Sequence, residues 1–166
     1  MSAIDSIETS LSFEPIRVRS RHTTWMQLGG SIRAKGRETM ENQEIRTALD
    51  RHWAASAAGD IEAEHEIYHD DVLVEYPQSG ERIRGRHNIQ ALRGHHPAKL
   101  GFTIRRVLGS GDLWITEYVL SYNEQPTQTV SIMEFRDGKV ARETQYFADP
   151  FEPPAWRTQW VEHQEK

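Results

Sequence analysis

Apolar and polar side chains alternate along residues 113–149, LWITEYVLSYNEQPTQTVSIMEFRDGKVARETQYFAD. The β-branched and aromatic content suits a pleated surface. Two breaks divide it into three strands: the turn cluster at 123–126 and the pair Asp137-Gly138, which tolerates the positive φ angles of a type I′ hairpin. With Asp137-Gly138 as the whole loop, Arg136 lies opposite Lys139, Phe135 opposite Val140, Glu134 opposite Ala141, Ile132 opposite Glu143 and Val130 opposite Gln145. Opposed residues share a face. One face then carries Val130, Ile132, Glu134, Ala141, Glu143, Gln145 and Phe147, and the other Thr129, Ser131, Met133, Phe135, Val140, Arg142, Thr144 and Tyr146. Apolar residues with a few convergent polar groups, as on the first face, suit a ligand cavity; the plainer alternative is a sheet face with Glu at its solvated edge.

Upstream the period changes to 3.6. The spacing predicts a helix over 41–58, with Ile45, Ala48, Leu49, His52, Trp53 and Ser56 on one side and Gly59 closing it. Asp60 caps a second helix over 61–69. A strand over 72–76 stops at Pro77, which cannot donate to a ladder, and 77–80 is turn chemistry. A third helix follows over 86–94, with Ile89 and Leu92 as its apolar side, and then a strand over 102–108. Helix, helix, strand, helix and four strands make an α+β arrangement, in which a twisted antiparallel sheet curls round the helices as a cone with an open mouth. On the strand before the turn at 123–126, Trp114, Thr116, Tyr118, Leu120 and Tyr122 would line that cone, with Glu117 outside. Residues 150–162 hold three prolines and the aromatics Phe151, Trp156 and Trp160, which need burial on the barrel or in a partner subunit.

The 166 residues amount to one domain, and a net charge of −5 argues against nucleic acid as a partner. The absence of cysteine removes thiol chemistry and fits a reducing compartment. No apolar run is long enough to span a bilayer and no signal-peptide core is evident, so a cytoplasmic protein is expected. Residues 1–40 are locally basic and without apolar period, and read as a disordered or loosely docked extension; the domain itself spans 41–162. Met40 stands at the change of composition, where a translation start would explain it.

His65-Glu66-Ile67-Tyr68-His69 matches the H-E-x-x-H pattern, in which histidines four apart on a helix grip zinc and the Glu acts as base. The predicted helix is short and no third ligand stands at a recognisable spacing, so a zinc hydrolase is the remote alternative and no metal is assigned.

Trp53-Ala54-Ala55-Ser56-Ala57-Ala58-Gly59-Asp60, Tyr68-His69-Asp70-Asp71-Val72-Leu73-Val74-Glu75-Tyr76-Pro77, Gly85-Arg86-His87-Asn88-Ile89, Phe135-Arg136-Asp137-Gly138-Lys139-Val140 and Tyr146-Phe147-Ala148-Asp149 follow in order. Over about residues 41–150 the chain thereby resembles the nuclear transport factor 2-like (NTF2-like) superfamily, and within it the SnoaL-like polyketide cyclase group. The resemblance implies a cystatin-like α+β barrel. It does not choose a function, because the superfamily hosts isomerases, cyclases, dehydratases, epoxide hydrolases and non-enzymatic binders. Where ketosteroid isomerase-like members carry a general-base Asp, this chain has Tyr76, and their oxyanion-hole Tyr falls at His52. Where limonene epoxide hydrolase-like members carry an Asp before the last Tyr-Phe pair, this chain has Gln145, and their Arg–Asp pair falls at Tyr118 and Leu120. Neither constellation is present.

The resulting expectation is a small-molecule pocket protein for a hydrophobic carbonyl compound, without cofactor. As a cofactor-free isomerase, cyclase or lyase it would use Glu143 or His52 as base and Tyr76 and Gln145 as hydrogen-bond donors, with Trp53, Trp114, Tyr118 and Glu134 around the ligand. The alternative is a non-enzymatic binding or assembly domain. A homodimer through the outer sheet face is expected, with Met133, Phe135 and Val140 supplying apolar area.

Overall fold

A computed structural model describes residues 31–162, with side chains from 41 onward. The expected extension lies outside the described residues as far as residue 30. Helix α1 runs Ser31–Ala58, ten residues longer at its start than the amphipathic pattern predicts. Its Ile45, Leu49, His52, Trp53 and Ser56 are buried along one side, as the 3.6 period requires. Gly59, at φ +71°, ends the helix, and Asp60 accepts the Ala63 amide at 3.1 Å to begin α2.

Helix α2 is a short piece, Ile61–His65, because the chain leaves it to form strand β1, Tyr68–Tyr76. This removes the helical basis of the H-E-x-x-H reading. His65 ends the helix with its Nδ1 donating to the Ile61 carbonyl at 2.7 Å, whereas His69 lies in β1 with Nε2 donating to the Arg136 carbonyl at 2.6 Å. The two rings serve separate carbonyls, and no group of three or more metal-binding side chains occurs among the described residues.

Strand β2, Glu81–Arg84, lies outside the elements that the sequence pattern predicts; it forms a hairpin with β1 across the turn at 77–80. Helix α3 is Arg86–Gly94, as the periodicity predicts. Strands β3 (Leu100–Ser110), β4 (Leu113–Tyr122), β5 (Gln125–Arg136) and β6 (Lys139–Ala148) form the meander. The six strands make one curved, unclosed sheet in the order β2-β1-β6-β5-β4-β3. All neighbours are antiparallel except β1 and β6, which run parallel. Gln78 prolongs that junction beyond β1, accepting the Phe147 amide at 2.7 Å and donating to the Phe147 carbonyl.

The Asp137-Gly138 hairpin forms with φ +51° and +75°, and Arg136–Lys139 and Phe135–Val140 pair as predicted. One step further the register slips. A bulge at Ala141 pairs Glu134 with Arg142, Met133 with Glu143 and Ser131 with Gln145. A one-residue slip moves every later side chain to the other face. The inner face therefore carries Thr127, Thr129, Ser131, Met133 and Phe135 with Val140, Glu143 and Gln145, all of them buried. Val130, Ile132 and Glu134 point outward. Glu134 is exposed and faces Arg142 at 3.8 Å on the outer surface, so it is not a cavity residue. Met133, Phe135 and Val140 belong to the core and supply no area to the outer face. On β4 the expected alternation holds, with Trp114, Thr116, Tyr118 and Leu120 buried.

Phe151, Trp156 and Trp160, expected to be buried, are 71–75% exposed on the segment that ends in a 3-10 helix, Ala155–Trp160.

Candidate functional site

The concave side of the sheet and the three helices leave a cavity of about 400 Å³. Its walls are aromatic. Trp53 from α1, Phe102 from β3 and Tyr118 from β4 form one group, with Trp53–Tyr118 centroids 4.7 Å apart and Phe102 stacked on Tyr118 at 6.2 Å. Tyr76 from β1 and Phe147 from β6 form another, edge to face at 5.6 Å. The mouth carries Leu92, Lys99, Tyr122 and His96, the last two with rings 5.2 Å apart.

Arg93 of α3 reaches the cavity with 14% of its side chain exposed. It holds a buried cluster together. Its Nη1 donates to Glu64 Oε1 at 3.2 Å and to the Tyr68 hydroxyl at 3.0 Å, and its Nη2 donates to Glu143 Oε2 at 3.1 Å. Tyr68 donates in turn to Glu143 Oε2 at 2.7 Å, and Ser131 donates to Glu143 Oε1 at 2.6 Å. Both oxygens of Glu143 are thus engaged by three donors, in a side chain with no exposure at all. Burial alone would lower the Arg93 guanidinium, but the Tyr68 oxygen and the Glu143 and Glu64 carboxylates beside it raise it well above its ordinary value, so it stays charged.

The phenols stay neutral. Burial pushes Tyr118 and Tyr68 well above the usual phenol range, and Tyr76 and Tyr122 upward as well. They are hydrogen-bond donors at any physiological pH. Gln145 Nε2 donates to the Tyr118 oxygen at 3.0 Å, and among the described residues nothing accepts the Tyr118 hydrogen.

Of the residues expected from sequence, Tyr76, Gln145, Trp53 and Tyr118 line the cavity. Glu143 sits beneath it, behind Arg93, as an ion-pair partner and not as a free base. His52 faces another way, towards a small recess lined by Ala48, Arg51 and Ile67; its Nδ1 donates to the Glu64 carbonyl at 2.7 Å, and burial lowers its pKa so that it stays neutral. Trp114 is buried near the β3–β4 turn, donating to the Gly111 carbonyl at 2.9 Å, and does not reach the cavity. Arg93 and Glu64 are the two buried charged groups of the cavity wall that sequence reasoning missed. A signal existed for Arg93, which lies four residues after buried Ile89 and so on the inward side of α3. Glu64 lies three residues after Ile61, on the side of α2 that meets the cavity.

A curved sheet wrapped over three helices around an aromatic pocket defines the nuclear transport factor 2-like class of α+β proteins. Within that class the chain belongs to the SnoaL-like domain family, which matches residues 49–143. It is similar to an NTF-2 like protein of unknown function from Burkholderia xenovorans LB400, with 64% identity and a TM-score of 0.70 over 76% of this chain and 99% of that one. A putative ketosteroid isomerase from Kribbella flavida is 25% identical, with a TM-score of 0.70 over 76% of this chain and 93% of that one. An LEH-like epoxide hydrolase from M. tuberculosis is 24% identical, with a TM-score of 0.54 over 64% of this chain and 84% of that one, a likeness of fold alone. Comparison with curated proteins gave no match.

Proposed function

We propose that this protein binds a small, mostly apolar molecule bearing a hydrogen-bond-accepting oxygen, such as a carbonyl. The cavity carries the reading: about 400 Å³ with an aromatic wall is the size and chemistry of a small-molecule site. The Tyr118 hydroxyl, held by Gln145, supplies an oriented donor for the ligand oxygen. The test is a screen of apolar ketones and aromatic carbonyl compounds by thermal shift, followed by titration calorimetry on the wild type and Tyr118→Phe. A binder should lose about five- to tenfold in affinity on removal of that one hydroxyl, the worth of a buried hydrogen bond. Equal affinity for both proteins would exclude Tyr118 as the donor.

Proton transfer, as in a cofactor-free isomerase, cyclase or lyase, is the second reading, and Glu64 favours it. This carboxylate lines the cavity, whereas Glu143 is occupied by three donors and His52 faces elsewhere. Glu64 would take the proton while Tyr118 donates to the developing enolate. Exchange of α-hydrogens of a bound ketone in D₂O, followed by NMR and abolished by Glu64→Gln, would establish turnover; binding without exchange leaves the protein a binder.

We also propose that the domain over 41–162 pairs with a second copy through the outer sheet face, where Leu108, Leu113, Ile115 and Tyr146 are exposed. The lack of cysteine supports a cytoplasmic setting, and among the described residues no helix is long and apolar enough to cross a membrane.

A further inference from the structure

The charges around the cavity do not balance. Glu64 lines it, Glu143 lies directly behind it, and among the described residues Arg93 is the one buried cation between them. Arg93 pairs with both of these carboxylates and donates a third bond to Tyr68, so at least three of its five N–H groups are committed to protein oxygens. The two histidines nearest the cluster, His52 and His65, are buried and held towards their neutral forms. One guanidinium therefore serves two carboxylates, and a formal charge of about −1 remains inside a low-dielectric wall. Lys99 contributes to the mouth but is exposed, where water and salt screen it; Asp149, which accepts from Thr127 at 2.7 Å, adds negative charge near Tyr122.

The rings bear on the same question. Trp53, Phe102 and Tyr118 line the cavity on the β3–β4 side, and Tyr76 and Phe147 on the β1–β6 side. Aromatic faces carry negative electrostatic potential and attract alkylated cations, most strongly where water is excluded. An anionic ligand would find Arg93 already paired with two carboxylates and would lie against Glu64. A neutral one would leave the surplus charge uncompensated. We propose that the ligand of this cavity carries a positively charged, alkylated nitrogen seated among these rings with Glu64 as its counter-ion. This inference rests on the reading of the cavity as a small-molecule site, and it names the ligand's charge.

The experiment uses three probes of nearly one shape: benzyltrimethylammonium, its neutral carbon isostere neopentylbenzene, and benzylsulfonate. Binding to the full chain is measured by ligand-observed NMR and calorimetry. The ammonium should bind about tenfold or more tightly than neopentylbenzene, and benzylsulfonate more weakly than either. Glu64→Gln should erase the preference while leaving neopentylbenzene affinity within about twofold, which also certifies that the variant is folded. Phe102→Leu, which keeps the carboxylate and removes one ring, should reduce the preference and keep its sign. Neopentylbenzene binding as well as or better than the ammonium overturns the cation inference and leaves the binding reading intact. A preference that survives Glu64→Gln overturns the assignment of Glu64. Failure of all three probes to bind overturns the cation inference, and the ketone screen with Tyr118→Phe then decides the binding reading separately.

Discussion

Replacing Glu143 by Gln keeps the volume of the side chain and removes its charge. The structure sets the consequence. Three donors converge on the two carboxylate oxygens, from Tyr68 at 2.7 Å, Ser131 at 2.6 Å and Arg93 at 3.1 Å, at a site with no solvent exposure. A Gln offers one accepting oxygen and turns an NH₂ group towards donors on the other side. Arg93 loses its most deeply buried counter-charge and keeps Glu64 at 3.2 Å. Breaking a buried pair by removing one partner costs about 3–5 kcal/mol. With one acceptor and one ion pair retained, the lower end applies, about 3 kcal/mol. For a domain of this size each kcal/mol moves the melting temperature by roughly 4 °C, so a fall of roughly 12 °C is expected. Urea unfolding followed by circular dichroism gives the free energy directly. Arg93→Met and the double variant complete a cycle, in which the double variant should cost about 2 kcal/mol less than the sum of the singles. A loss below about 1 kcal/mol for Glu143→Gln, or strict additivity in the cycle, would refute the reading of this cluster as a coupled buried network.

Other outcomes follow from single features. His52 is buried and held neutral, so below the unfolded value of about 6.5 the unfolded chain takes up the proton and the native one does not. Its contribution is present above that pH and lost as pH falls; urea midpoints should drop between pH 8 and 5, with a shallower slope in His52→Gln. Gly109→Ala would set a Cβ 2.5 Å from the Leu113 carbonyl and 2.7 Å from the Trp114 Cα, and should destabilise by about 1–3 kcal/mol in the same assay. Elemental analysis should find less than about a tenth of a zinc per chain, because His65 and His69 serve separate carbonyls. Ile115 and Ile132 are paired neighbours on the outer face, and Ile132→Lys should shift sedimentation towards a monomer; an unchanged profile would place any dimer elsewhere.

Much of this architecture is legible in the chain because local signals and packing agree. The burial of Leu49 and Trp53 follows from the helical period, and the Asp137-Gly138 turn from its two residue types. The bulge at Ala141 is where that legibility ends. Nothing local distinguishes a straight β6 from one with an extra residue. The slip is decided by what each register buries: here Glu143 meets Arg93 inside, and Arg142 donates to Glu75 outside at 2.7 Å. Those partners lie on α3 and β1, beyond the reach of hairpin bookkeeping. The same limit hid the site's charge. Gln145 and Tyr118 were visible from alternation, but their neighbours Arg93 and Glu64 come from two short helices whose orientation depends on the sheet they cover. The second helix reads as running to residue 69, whereas β1 claims the chain from Tyr68, an override of local propensity by sheet pairing.

The cluster around Arg93 also bears on the order of events in folding. Its bonds join residues 75 and 50 positions apart, Tyr68 to Glu143 and Arg93 to Glu143, and a further one joins Ser131 across the β5–β6 hairpin. The hairpin contact closes a short loop, whereas the other two close long ones, and contacts of that kind are expected to form late. Interactions absent from the transition state govern how fast the native state is left, not how fast it is reached. The buried ion pairs are therefore expected to act as a late-fastening clasp: in stopped-flow experiments Arg93→Met should fold at nearly the wild-type rate and unfold much faster.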